Sequence, residues 1–279
     1  MIITIIGTGL IGGSMSLALQ RNGFASRVLG VELNPEHAAK AIELGLVHEI
    51  VSLDEAMQQA KLIILATPIN AAEQLLPAIL DLATQQVIMD VGSTKKSICD
   101  AVANHPNRAR FVATHPMWGT ENSGPEAAVE PAFTKKATII CSKEDTDSDA
   151  LALVEQVYQL LDMHLLYMNA ADHDMHVAYI SHISHITSFA LANTVLEKEK
   201  EEDAIFELAS AGFESTVRLA KSNPSMWVPV FMQNRDNVLD VLNEHIAQLR
   251  KFKSCLEKEN YAYLQELIEN ANGIKRILK

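Results

Sequence analysis

Residues 113–124 read ATHPMWGTENSG. His115 follows an apolar run, RFVAT, that reads as a β-strand, and precedes Pro116. Proline restricts the backbone of the residue before it. His115 is therefore held at a strand end, with a polar, glycine-spaced loop behind it. An imidazole titrates near neutral pH, so a fixed one suits general acid–base work; a merely satisfied core histidine is the plainer alternative. The second group with chemical potential is Gly7, Gly9 and Gly12 in IITIIGTGLIGGSMSLAL. In such a loop the first glycine permits a tight turn, the second lets backbone approach a pyrophosphate, and the third lets helix pack closely on strand. Leu10 and Ile11 open the following helix, whose free N–H groups and positive dipole end favour a phosphate. Glu32 closes the next strand candidate, 20 residues after Gly12. That spacing suits an acid that accepts a hydrogen bond from an adenosine ribose 2′-hydroxyl. No arginine follows in LNPE, so the expected cofactor is NAD rather than its 2′-phosphorylated form.

Two further strand candidates end in small or polar residues, ATP (66–68) and DVGSTKK (90–96). Ligands of open α/β sheets sit beyond the carboxyl ends of strands. Thr67 and Pro68 are thus expected on the nicotinamide side. Ser93 and Thr94 are expected to cap the next helix, the more common role, or to reach a ligand, and the two roles are compatible. Downstream, DHDMHVAYISHISHITSF carries His173, His176, His182 and His185. Helical spacing puts each close pair on one face and sets the two pairs about half a turn apart. They then look in different directions, and no metal site is expected. Arg218 lies among Val217, Leu219 and Ala220. Its planar fork suits a carboxylate; a snorkelling or ion-paired surface arginine is the plainer alternative.

These side chains need a frame. Short apolar runs at 2–6, 27–32, 61–67, 85–91, 110–114 and 137–142 alternate with helical patterns at 10–22, 35–44, 70–80, 94–103 and 147–161. Most of the runs are too apolar for a sheet with one wet face, which suits parallel strands covered on both sides. The fold class expected is α/β: a doubly wound, mostly parallel Rossmann-type sheet. From about residue 169 the alternation gives way to helical periodicity, with helices expected through the acidic run EKEKEED (197–203), over 203–221, from Val230 to Asn260, and over 261–278. The expected domains are 1–168 for the dinucleotide and 169–279, all-helical, for substrate binding and dimerisation.

Composition sets outer bounds. The 279 residues are 48% hydrophobic and 21% charged, an ordinary globular balance. A net charge of −12 argues against nucleic acid and against an anionic membrane surface. Three cysteines in no metal or disulfide pattern, and an N-terminus without a leader pattern, point to the cytoplasm. No apolar run is long enough to span a bilayer.

With these residues in hand, the chain resembles the prephenate/arogenate dehydrogenase family of tyrosine biosynthesis. The resemblance rests on GTGLIGGS (7–14), ATP (66–68), DVGSTK (90–95), HPMWGTENSG (115–124), SHISHI (181–186) and GFESTVRLAKSNPSMW (212–227). It implies oxidative decarboxylation of prephenate to 4-hydroxyphenylpyruvate with NAD, or of arogenate to tyrosine. It further implies that His115 takes a hydrogen bond from the ring hydroxyl with Ser93 nearby. Thr120, His185 and Trp227 would surround the substrate, and Arg218 would pair with its carboxylate. Many relatives carry an acid three residues before that arginine, where Ser215 stands here beside Glu214. The family also implies a homodimer through the helical half. These residues leave no stretch for a regulatory or chorismate mutase segment, so a monofunctional enzyme is expected. Three rivals weigh less. A β-hydroxyacid dehydrogenase wants a lysine on the first long interdomain helix, and none lies between 162 and 197. A pyrroline carboxylate reductase, likewise a two-domain NAD(P) enzyme, is the other near rival. A nucleotide sensor without catalysis would need the glycine loop but not His115 and Arg218 together.

Glu32→Ala is expected to weaken NAD far more than NADP, because only NAD offers the free 2′-hydroxyl. Cofactor titrations of both dinucleotides check this; an unmutated protein that prefers NADP would refute it.

Overall fold

The computed structural model describes residues 1–200 and 205–277. The chain packs as two compact units, Met1–Asn234 and Arg235–Lys279. In the first, eight strands form one sheet: β1 Ile2–Ile6, β2 Arg27–Val31, β3 Glu49–Ile50, β4 Leu62–Leu65, β5 Val87–Asp90, β6 Phe111–Pro116, β7 Ala137–Cys141 and β8 His164–Met168. Their order is β3-β2-β1-β4-β5-β6-β7-β8. The first six run parallel, β7 is antiparallel to β6, and β8 is parallel to β7.

Helices cover both faces, as continuous apolar strands require. On one face α1 (Leu10–Arg21), α2 (Pro35–Glu43) and α6 (Ser148–Leu160) bury Met15, Leu19, Ala41, Val154 and Val157 against Ile3, Ile5, Leu62 and Ile64. On the other, α3 (Leu53–Gln59), α4 (Ile69–Leu82) and α5 (Lys96–Ala101) set Met57, Leu76, Ile79 and Ile98 against Ile6, Ile63, Leu65 and Ile88. The doubly wound expectation holds. Strands β3 and β8 and helix α3 escaped it. Strand β3 has only two residues, and β8 (HLLYM) lacks the apolar run of the inner strands because three of its five residues are exposed. Helix α3 did carry a signal, since Ser52 and Glu55 form a capping box.

The first unit continues with α7 (Ala170–Val177), a π-helical turn at Ala178–His182, α8 (Ile183–Glu199), α9 (Ala211–Val217) and α10 (Pro224–Gln233). The second unit holds α11 (Arg235–Glu257) and α12 (Tyr261–Ala271). The helix expected over 203–221 is shorter. It begins at Ala211, behind a single 3-10 turn at Phe206–Leu208, and tightens to 3-10 geometry from Arg218. The long helix expected from Val230 is interrupted at Asn234, whose backbone (φ −102°, ψ 26°) is non-helical. The acidic run 197–203 and the expected start at 203 lie partly outside the described residues, as does the end at 278.

The turn from β1 into α1 is dictated by sterics. Gly7 has φ +91°, in the region that favours glycine. A Cβ on Gly12 would stand 2.3 Å from the Gly7 carbonyl oxygen and 2.8 Å from Ile5 Cγ2. Gly12→Ala is therefore expected to cost about 1–3 kcal/mol of stability, the usual range for overpacking. Chemical denaturation checks it; an unchanged midpoint and slope would show that α1 can retreat without cost.

Candidate active site

Strand β6 is buried throughout and delivers His115 to its carboxyl end, 9% exposed. The last turns of the parallel ladder are replaced there by side chains. Asp90, ending β5, accepts the Thr114 N–H at Oδ1 (3.1 Å) and the Gly92 N–H at Oδ2 (2.9 Å), and its carbonyl receives the Thr114 hydroxyl. Lys95 is fully buried; its Nζ pairs with Asp90 Oδ2 and donates to the Thr114 carbonyl at 2.7 Å. His115 Nδ1 lies 2.8 Å from His173 Nε2, and His173 Nδ1 lies 2.7 Å from Asp174 Oδ1. Asp174 in turn accepts the backbone N–H of Lys95 (2.7 Å) and of Lys96 (2.9 Å), at the start of α5. Burial, then the neighbouring His173 and the Lys95 charge, holds the His115 imidazole well below its ordinary 6.5.

A second group adjoins the first. Asn234 Nδ2 donates to the Asp174 carbonyl (2.6 Å) and meets His182 Nδ1 at 3.1 Å. The His182 ring meets Trp227 edge-on. His185 stacks on Trp227 with ring centroids 3.4 Å apart, and its Nδ1–H donates to the Ser181 carbonyl. Trp227 itself packs on Ile69, the first residue of α4 and next to Pro68. Burial, with an added push from the Arg218 charge, lowers the His185 imidazole. Arg218 is half exposed and donates from Nη1 to Glu121 Oε2 at 2.7 Å. Thr120 is exposed, and its hydroxyl accepts the Asn122 N–H.

The glycine loop fits a dinucleotide. Nothing lies within 4 Å of where a Cβ on Gly9 would stand, so backbone there faces open space. Leu10 and Ile11 are half-buried behind it. Glu32 Oε2 accepts the Thr8 N–H (3.0 Å) and hydroxyl (3.1 Å), and its Oε1 accepts the Asn34 N–H. The carboxylate is thus aimed before any ribose arrives. The buried Thr67 hydroxyl has no partner among the described residues, and Thr67 N lies 3.0 Å from the Cβ position of Gly7. An orphaned donor at the rim of a glycine loop is what a polar ligand would satisfy.

Two expectations are corrected. Neither Ser93 nor Thr94 caps α5: Lys95 holds the cap position without a side-chain bond, and the Thr94 hydroxyl donates to Gln233 Oε1 (2.7 Å) instead. Among the described residues no protein group bonds the Ser93 hydroxyl. The histidine pairs also divide differently. His173 and His182 are buried while His176 is exposed. The cause is the π-helical turn at Ala178–His182, which absorbs an extra residue. It reduces the half-turn offset between His173 and His182 to about 80°. Sequence reasoning passed over Asp174, Lys95, Asn234 and Glu121. Asp174 next to His173, and Glu121 next to Thr120, were legible only as neighbours. Ser215 donates to the Gly212 carbonyl of its own helix, so Glu121 is the acid that meets Arg218.

Fold and site define the class: a Rossmann-type dinucleotide fold with a buried histidine at its strand ends. Residues 15–167 match the nucleotide-binding domain of prephenate dehydrogenase, and residues 169–270 match that enzyme's dimerization domain. The chain is 32% identical to the prephenate dehydrogenase of Bacillus subtilis over 98% of its own length and 75% of that protein. It is similar in structure to the A. aeolicus prephenate dehydrogenase solved with hydroxyphenyl propionate and NAD+ (TM-score 0.89, 29% identity, 99% of this chain and 97% of that one). It is also similar to Synechocystis arogenate dehydrogenase (TM-score 0.79, 28% identity, both chains fully covered). The chain belongs to the prephenate dehydrogenase family.

The buried histidines make stability depend on pH. Burial lowers His115, His173 and His185, and pushes His182 down to about 4. The unfolded chain takes up these protons near 6.5 while the folded chain does not. Stability therefore falls as pH drops below about 6.5 and goes on falling toward the folded values. Denaturation midpoints between pH 7.5 and 5 check this; a flat profile, after allowance for carboxylates, would contradict it.

Proposed function

We propose that the chain converts prephenate to 4-hydroxyphenylpyruvate and carbon dioxide, with hydride transfer to NAD, in L-tyrosine biosynthesis. The observation that carries this reading is a buried, uncharged His115 at the carboxyl end of β6, in the same compact unit as a glycine loop shaped for a dinucleotide. The A. aeolicus relative holds a hydroxyphenyl acid and NAD+ together, which is the pairing this reaction needs. Bound at Gly7, Gly9, Leu10, Ile11, Gly12, Glu32, Thr67 and Pro68, NAD supplies the hydride acceptor.

The chain's own task is orientation and removal of one proton. His115 accepts the proton of the ring hydroxyl as hydride leaves C4, with Ser93 beside the same oxygen. Electrons of the breaking C–C bond to the ring carboxylate then close the aromatic ring as carbon dioxide leaves, and the ring oxygen takes its proton back from His115. Arg218 exchanges Glu121 for a substrate carboxylate, so binding starts from a paired arginine. Thr120, His185 and Trp227 shape the remaining wall. Residues 1–168 serve the cofactor, and 169–279 serve the substrate and a homodimer. The match of 169–270 to a dimerization domain supports the dimer. So do exposed apolar side chains on α10 (Val228, Met232) and, separately, on α11 and α12 (Leu249, Leu256, Ile268). Three free cysteines support a cytoplasmic location; among the described residues no helix is long and apolar enough to cross a membrane.

Turnover of prephenate with NAD, followed by NADH absorbance, tests the reading; stronger turnover of arogenate would move it to the amino analogue. His115→Asn is expected to lower kcat by roughly 10²–10⁴-fold, the usual value of a positioned base, with NAD affinity changed only a few fold. The acid limb of activity should lie below pH 6.5, since burial, His173, Lys95 and His182 all depress His115. Arg218→Ala should act mainly on KM, because the carboxylate is present in both ground and transition states. Steady-state kinetics across pH separate these outcomes. A folded His115→Asn protein with most of its turnover would show that the base lies elsewhere.

A further inference from the structure

We propose that His173 and Asp174 are positioning residues that fix the tautomer of His115, so that its Nδ1 carries the proton and its bare Nε2 takes the proton of the substrate hydroxyl. The inference rests on the reading of His115 as the base and adds what makes it one. A neutral imidazole has one donor and one acceptor nitrogen, and only the acceptor can take a proton.

Asp174 sets the polarity of the chain of hydrogen bonds. Its Oδ1 accepts the Lys95 N–H and its Oδ2 the Lys96 N–H, at 2.7 and 2.9 Å. Both oxygens are thus acceptors, so the 2.7 Å contact with His173 Nδ1 needs its proton on the nitrogen. His173 then presents a bare Nε2, because burial works against a second proton on its ring. The 2.8 Å contact between that Nε2 and His115 Nδ1 leaves a single arrangement, with Nδ1–H of His115 as donor. The unprotonated nitrogen of His115 is Nε2, which no protein group hydrogen-bonds among the described residues.

The surroundings hold this chain of bonds in place. Lys95 Nζ is committed to Asp90 and the Thr114 carbonyl. Asn234 ties the Asp174 carbonyl to His182. When Nε2 accepts the hydroxyl proton, the O–H bond breaks, an N–H bond forms, and the charge spreads along Nδ1–H toward His173 and Asp174. A histidine oriented by a second residue follows the same logic as a Ser-His-Asp triad, where the wrong tautomer costs about 10⁴-fold in kcat.

The test uses full-length protein labelled with 15N-histidine. Long-range 1H–15N spectra at pH 7.5 report which ring nitrogen is protonated, and loss of signals in His115→Asn assigns that ring. The wild type should show His115 with Nδ1 protonated and Nε2 bare. His173→Phe keeps the ring volume but removes the acceptor, so His115 should shift toward the other tautomer. Its kcat should fall by roughly 10-fold or more, within the range for a misplaced base, while KM for prephenate and NAD affinity stay within a few fold. His173→Gln retains an acceptor near the lost Nε2 and should recover much of the kcat and the wild-type tautomer. A wild-type His115 protonated on Nε2 overturns the proposal. So does a His173→Phe protein with unchanged tautomer and kcat, or one whose kcat loss merely tracks lost folding and NAD affinity and is equal in His173→Gln. Retained turnover in His115→Asn instead removes the base assignment itself, and the tautomer spectra distinguish the two failures.

Discussion

The contact between His115 and His173 joins a strand end to a helix 58 residues later, and much of the site exists to keep it. A lone imidazole inside a protein has no fixed donor and acceptor. It acquires them only when a partner of known polarity is held against it. Here that partner hangs from Asp174, and Asp174 hangs from two backbone N–H groups at the start of α5. The approach of α7 to the sheet is thus set by hydrogen bonds as well as by apolar burial.

Beneath this contact lies a buried ion pair, Lys95 with Asp90. Such pairs gain little net stability, since desolvation offsets the attraction, but removing one partner leaves an uncompensated charge. Asp90 and Lys95 together also satisfy the Thr114 N–H and carbonyl, where the β5–β6 ladder has already ended. The strand can therefore run on to His115 without orphaned backbone groups. At the other side of the sheet's mouth, Glu32 is likewise aimed in advance by Thr8 and Asn34. Charge is placed locally in a chain whose mean field is acidic, at −12. Arg218, the cation proposed to meet the substrate, is kept beside Glu121 until then.

Much of this was legible in the residues alone. Apolar runs of Val and Ile between amphipathic stretches require a covered parallel sheet. Glycine at 7 and 12 requires backbone where a Cβ has no room, and the structure gives the distances. Pro116 after His115 marked a strand end. These are local constraints: side-chain period, φ range, hydrogen-bond capacity. Each is a property of a short stretch and survives without knowledge of its neighbours.

What the tertiary structure decided is which distant groups meet. Helical spacing paired His173 with His176, but the π-helical turn at Ala178–His182 turned His173 and His182 inward together. Cap propensity offered Ser93 and Thr94 to α5, yet Thr94 bonds Gln233, a residue 139 positions away. Lys95, a residue type usually solvated, is fully buried here, because Asp90 and the Thr114 carbonyl replace its water. Ser215, three residues before Arg218, bonds within its own helix, and Glu121, 97 positions away, is the acid that meets Arg218. The sequence by itself determined the sheet, the dinucleotide loop and the histidine at the strand end, since short-range sterics and periodicity are enough for those. Partners across the fold depend on phase shifts and loop paths that no single stretch encodes, so only the folded chain decided them.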